Sequence, residues 1–580
     1  FGGTFGGPIK QDQTFFFLAY ESTREVLNVL QNTTTITAAA RQGTVNATMI
    51  PYLNQYPLPN GRDLGGGIGE YLFSYRQPST EHFGQARVDL PALTSKDSTF
   101  FRFTGSHSEG STSSGFPGFE QVTSLGSWLL TASHTHVISP MALNTVRVHF
   151  SRVLPLDIGN APTPGAGILV APGQSDGPEL AVTGLTSYGG GGFATKPTGM
   201  TSNRFTYQDD VNWRIGNHGL QFGGFAERFQ LNSVKPNRAW GVWTFTSIAN
   251  FLANNSTTFR GAVPGFGITD YRRGLRNWMF AFYVQDDWRV NDRLTVNLGV
   301  RWEPYTIPTE VNGKIANLRS IGDKEGKLGD PYWQNKSKGD IGPRVGFAWT
   351  PTADGKMSVR AGFGLLFTPN DPNLYYNQMD RMPPLGYDFT LNIPAGCSRF
   401  PDAVATLNAL TVAGCPAGAI PQQSPAYVVP FQDSYDSRAA QWNFNVQQQL
   451  TGDSLFSVGY AGSRGTHLLS VGDYNMPRAS FNGQGLEVPL NATLVNPAWP
   501  SILLFANNTS STYHALLVSY QKRFHSGLQT NFSYTWSKTQ AGADSGQTGG
   551  GVTTGGGRQK YPYENAAQWG LSGYDFRQVV

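Results

Sequence analysis

The chain has 580 residues, of which 14% are charged and 13% aromatic, and its formal net charge is +4 on 43 basic and 39 acidic side chains. That charge is too balanced for a nucleic-acid partner, and the charged fraction is well below the roughly 25% of soluble globular domains. The longest apolar runs, Thr14–Tyr20 and Ile502–Ala506, fall far short of the ~20 residues that a spanning helix needs, so any crossing of a membrane must use strands.

In chain order, a strand-like segment at 14–21 is followed by candidate hairpins near 83–107, 128–152, 204–230, 278–303, 341–367, 437–464 and 512–538. Tight turns close several of them, among them Gly216-Asn217, Asn291-Asp292, Thr451-Gly452 and His525-Ser526. Long Gly-, Pro-, Ser- and Asn-rich loops are expected between hairpins, at 108–127, 153–203, 231–277, 304–340, 368–436, 465–511 and 539–573. A soluble fold has no reason to put every long loop at one end, whereas an outer-membrane barrel has short periplasmic turns and long extracellular loops. Chain ends fit an interior fragment: no initiator Met or signal peptide precedes Phe1, and strand-like Tyr574–Val580 closes the sequence.

Alternation within the segments defines two faces. In Arg293–Glu303, Leu294, Val296, Leu298, Val300 and Trp302 point one way, while Arg293, Thr295, Asn297, Gly299, Arg301 and Glu303 point the other. Gln441, Asn443, Asn445, Gln447 and Gln449 make a polar face of the same kind. Arginine on a lipid face at mid-bilayer costs ~2–4 kcal/mol, so Arg301, Arg344 and Arg360, with Glu303, are expected to point inward, toward the lumen or a plug within it, or to lie near an interface. Trp278, Trp288, Trp302, Trp349, Trp442 and Trp536 fall near strand ends, as the aromatic girdles of a membrane barrel do.

Other candidates carry less. Cys397 and Cys415 share one predicted loop, where a local disulfide or two free thiols are both open. His134 and His136 project from one face of a strand but have no third metal ligand nearby in sequence, so they read as a lumen- or rim-facing pair. Asp286 and Asp287 are adjacent on a strand and face opposite sides, which spoils them as an acid–base pair. Gly65–Gly67 and Gly189–Gly192 lack the strand–helix context of a phosphate cradle and read as mobile loop glycines. No catalytic residue, metal site or cofactor is indicated.

The segments Phe1–Ile9 with Thr14–Glu21, Tyr283–Glu303, Asp340–Thr350 with Val359–Phe367, Tyr460–Leu468 and Tyr520–Lys538, in this order, resemble the barrel of Oar-like TonB-dependent outer-membrane receptors. The resemblance spans Phe1 to Val580 and implies an all-β, antiparallel transmembrane β-barrel in the cell outer membrane of a Gram-negative bacterium. It implies one barrel domain over 1–580, incomplete at both ends, with about 15 of roughly 22 strands. The plug and carboxypeptidase-regulatory-like domain of such receptors find no counterpart here. The implied partners are outer-membrane lipid, an extracellular ligand of unknown class, and the TonB energy-coupling complex through the missing N-terminal region. An adhesin or surface scaffold on the same barrel is the second expectation, and a secreted all-β enzyme the third.

Overall fold

The computed structural model describes residues 1–91, 94, 96–113, 115–160, 179–188, 198–235, 238, 241–261, 263, 271–369, 379, 381–386, 389–411, 415, 425–477, 480–481, 486–487, 493–525, 527–542, 558–559, 563 and 569–572. Sixteen long strands form one antiparallel wall: β1 Gly2–Lys10, β2 Thr14–Ile36, β3 Ile68–Pro91, β4 Asp97–Ser113, β5 Glu120–Ser139, β6 Ala142–Asn160, β7 Thr198–Ile215, β8 His218–Val234, β9 Arg272–Asn291, β10 Leu294–Trp302, β11 Ile341–Trp349, β12 Met357–Thr368, β13 Ser437–Thr451, β14 Ser454–Asp473, β15 Ile502–His525 and β16 Leu528–Ala541. Each pairs with the next along the chain. In such a meander alternate connections leave from opposite ends, so the tight turns lie on one rim and the long excursions on the other.

Three expectations are corrected. The opening segment Gly2–Lys10 is a strand laddered to Thr14–Glu21, which brings the long wall strands among the described residues to sixteen. Many strands run far past the expected 9–11 residues; Thr14–Ile36 has 23 and Ile502–His525 has 24. At about 3.3 Å per residue a strand of that length is ~75 Å long, so its outer half must stand clear of a ~25 Å apolar belt. The third correction concerns the supposed loop 108–127. There β4 and β5 continue as a tall hairpin, held by pairs such as the Ser106–Ser127 hydroxyls at 2.7 Å, and only 114–119 connects them.

Structure in the long excursions is also more regular than their composition suggests. Met49, Tyr52 and Tyr56 from 37–67, Phe116 and Phe119 from the tall hairpin, Leu180 and Val182, Trp243, Phe245, Phe251 and Phe259, and Leu391, Cys397 and Phe400 share one hydrophobic core. A small sheet of Glu179–Val182, Val242–Phe245, Thr258–Gly261 and Phe389–Asn392 frames it. Cys397 and Cys415 are bonded within this cap, with Cα atoms 5.9 Å apart. Gly65, Gly66 and Gly67 all have φ between +64° and +82° and close a turn between Asp63–Gly65 and Ile68, a backbone that favours glycine. Gly189–Gly192 lie outside the described residues.

Candidate functional site: the polar inner wall and its outer rim

The faces of the wall follow the alternation. Leu298, Val300 and Trp302 are exposed on the outer face with their neighbours Phe282, Val284 and Val345. Nine residues of β11, from Ile341 opposite Trp302 down to Trp349, extend about 30 Å, enough when tilted to cross the apolar belt. Trp288 and Trp349 stand near the tight-turn rim, and Trp302, Trp442 and Trp536 near the other end of the belt; Trp278 lies further out, stacked on Phe280. Trp128 and Trp213, not singled out in the sequence, are also exposed on the outer face.

Facing inward are Arg301, Arg344 and Arg360, each on the same parity as Asn297, Gln441 and Asn445. Arg301 pairs with Glu303 at 2.8 Å and lies 5.6 Å from the centre of the Phe225 ring. Arg344 and Arg360 are exposed, and they do not cluster: Arg344 is opposite Gly364, and Arg360 opposite Ala348. Arg344 with Gln285, Asn297, Gln441 and Asn443 lines a wall recess of about 410 Å³, where Gly299, Gly346, Gly362 and Gly364 withhold side chains.

A tighter polar node sits beside it. Asp210 accepts from Arg147 at 2.8 Å, Gln208 at 2.7 Å and the Tyr283 hydroxyl at 2.7 Å. Asp210, Gly223, Tyr283 and Arg301 form one row across four strands. Tyr283 reaches Asp210 because Gly223 lies between them; a Cβ there would come within 2.3 Å of the Asp209 carbonyl and 2.7 Å of Asp210 Oδ1. Sequence reading missed this node, since its members lie on strands far apart in the chain.

At the long-loop end the residues just outside β10, β11 and β13 converge. Tyr305 donates to Asp436 at 2.7 Å, and the Glu303 amide donates to the Asp340 carbonyl at 3.1 Å. Asp340 and Asp436 are both buried. Burial holds the Asp340 carboxyl well above the usual carboxylate range; its hydrogen bond with Asp436 and the charges of Asp436 and Glu303 add to this, and Arg438 opposes it. In this setting the buried Asp340 carboxyl keeps its proton, so it adds no further negative charge beside Asp436 and Glu303.

The remaining candidates separate. Asp287 faces inward, where Asn297 donates to it at 2.6 Å, and Asp286 faces outward beside His218 at 2.7 Å, as expected for neighbours on a strand. His134 and His136 are not in the lumen: they lie on the outer face, near the tight-turn rim.

A single antiparallel meander with an apolar outside and a polar inside defines a membrane β-barrel. Over residues 1–580 the sequence matches the model of the outer membrane beta barrel domain, and the chain belongs to that family. It is therefore a protein of the cell outer membrane. No curated protein matches the sequence. Among solved structures, it is similar to the outer-membrane transporter YddB from Escherichia coli, at 11% identity and a TM-score of 0.51, covering 93% of this chain and 54% of that one. Similarity extends to the siderophore receptor PirA from Acinetobacter baumannii (10%, TM-score 0.46, 93% and 62% covered) and a mutant of the ferric enterobactin receptor PfeA from Pseudomonas aeruginosa (10%, TM-score 0.44, 93% and 64%). The chain thus spans between about half and two thirds of the length of these proteins.

Proposed function

We propose that the chain forms the barrel of an energy-coupled outer-membrane receptor that admits an extracellular ligand through its interior. The observation that carries this reading is the inner wall itself: hydrogen-bonding Asn and Gln, with exposed Arg344 and Arg360, line a surface that a lipid-facing wall alone does not need. On this reading the cap meets the ligand first. A plug and a TonB-contacting segment, which the Oar-like resemblance places before the first strand, would dock on the inner arginines and open the path when pulled. Ligand uptake by cells carrying the full-length protein tests it, with the inner-membrane motor intact or deleted. Uptake that requires the motor supports the receptor; uptake or binding indifferent to the motor removes it.

A surface adhesin is the second reading. It is favoured by the disulfide-bonded cap with its own aromatic core, which suits a platform displayed outside the cell. Adhesion to a surface or partner cell that survives motor deletion and is lost on deleting residues 389–411 would support it.

A further inference from the structure

We propose that Asp97, His134 and His136 bind a zinc-type divalent cation on the outer face of the wall at its tight-turn rim. His134 and His136 alternate on β5 and so project from one face, and the ladder sets Asp97 of β4 directly opposite His136 and Thr99 opposite His134. The strand pairing thereby supplies the third ligand that the sequence alone did not offer. Asp97 Oδ1 lies 2.5 Å from His136 Nδ1 and 3.7 Å from His134 Nε2, and one ligand atom from each of the three residues lies within 4.8 Å of the others. Zinc–ligand bonds near 2.0–2.1 Å in a tetrahedral site place donor atoms about 3.4 Å apart, which small side-chain rotations reach from here.

The surrounding hydrogen bonds orient these groups as a metal site requires. Thr99 Oγ1 is 2.8 Å from His134 Nδ1, so an imidazole that donates there turns its Nε2 lone pair toward Asp97 and His136. Thr94 donates to Asp97 Oδ2 through its amide at 3.1 Å and its hydroxyl at 2.6 Å, leaving Oδ1 for the two rings. The rings are about two-fifths exposed, at 41% and 42%, while the carboxylate is 9% exposed, so a bound ion would keep open positions on its outer side. Two imidazoles and one carboxylate suit a first-row transition ion such as zinc; calcium and magnesium take oxygen donors.

Position supports the assignment. Phe101, Phe103, Leu130 and Val148 are exposed on this same face, and the His–His–Asp group follows them toward the Pro140-Met141 turn. It therefore stands at the tight-turn end of this apolar face, with exposed Val146 opposite His134. There a cation would offset the carboxylate and tie β4 to β5. The rival account is a plain Asp97–His136 ion pair with no metal.

The test uses the full-length protein without a polyhistidine tag, purified in detergent, stripped with chelator and titrated with zinc chloride. A single saturable zinc is expected, lost in His134→Ala and in His136→Ala, and weakened about ten- to a hundredfold in Thr99→Val. Cobalt(II) added to the unmutated protein should give the intense visible absorption of a four-coordinate site, which needs no variant to assemble. No saturable zinc binding, zinc binding unchanged in the double histidine variant, or a cobalt spectrum identical to that of the free ion would each overturn the proposal.

Discussion

Tyr283 on one strand and Asp210 two strands away are joined hydroxyl to carboxylate at 2.7 Å, across the bare backbone of Gly223. This contact of the inner wall needs the missing side chain as much as the two that meet. Gly223→Ala should cost about 1–3 kcal/mol of barrel stability through overpacking. Gly219→Ala is the control: its Cβ would meet Asp287 only at 3.6 Å, an ordinary contact, and should change little. Urea unfolding of the two variants in detergent checks both.

The carboxyl pair at the outer rim makes its packing depend on pH. Asp340 holds its proton in the folded protein well above the pH at which a free aspartate of pKa about 3.9 loses it. In that window the folded state binds the extra proton, so stability is greatest in acid and falls as pH rises toward the raised folded pKa. Hydrogen-exchange protection in the segments around Ser337 and Tyr435, taken relative to the intrinsic base-catalysed rate, should therefore fall from about pH 5 to about pH 8, and Asp340→Asn should flatten that fall, because an amide cannot lose that proton.

Phe400 is buried at the centre of the cap core: its ring lies 4.7 Å from that of Tyr52, 5.2 Å from Trp243 and 5.7 Å from Phe245. Phe400→Ala should destabilise the cap by about 3–5 kcal/mol. Limited proteolysis is expected to speed up at 37–67 and 242–261, while the wall strands stay protected.

The two faces of one strand should tolerate charge very differently. Leu298→Arg places a guanidinium on the outer face and should cost ~2–4 kcal/mol in membrane assembly, whereas Asn297→Arg faces the lumen and should be nearly neutral. The folded fraction of each variant on refolding into lipid vesicles measures this.

The wall was legible where one face meets lipid. Strict alternation from Leu294 to Trp302 set the register, and with it the inward direction of Arg301. Beyond the belt that signal fades: residues such as Asn32–Thr35 and Ser106–Ser113 are polar or glycine whichever way they point, so the alternation ends before the strand does. The cap was hidden for a different reason. Its core gathers single aromatics, Tyr56, Trp243 and Phe400 among them, from excursions that show no period of their own. Asp340 with Asp436, and Asp97 with the two histidines, become neighbours only through strand pairing, which spacing along the chain does not reveal.

Lipid on one side of the pleat and water on the other is the premise of the whole account. Nitroxide labels placed singly from Leu294 to Trp302 in the reconstituted protein would test it, by comparing collisions with oxygen and with a polar nickel chelate. Leu298 and Val300 should favour oxygen while Asn297 and Gly299 favour the chelate, with a period of two. Equal accessibility along the strand, or the opposite phase, would contradict it.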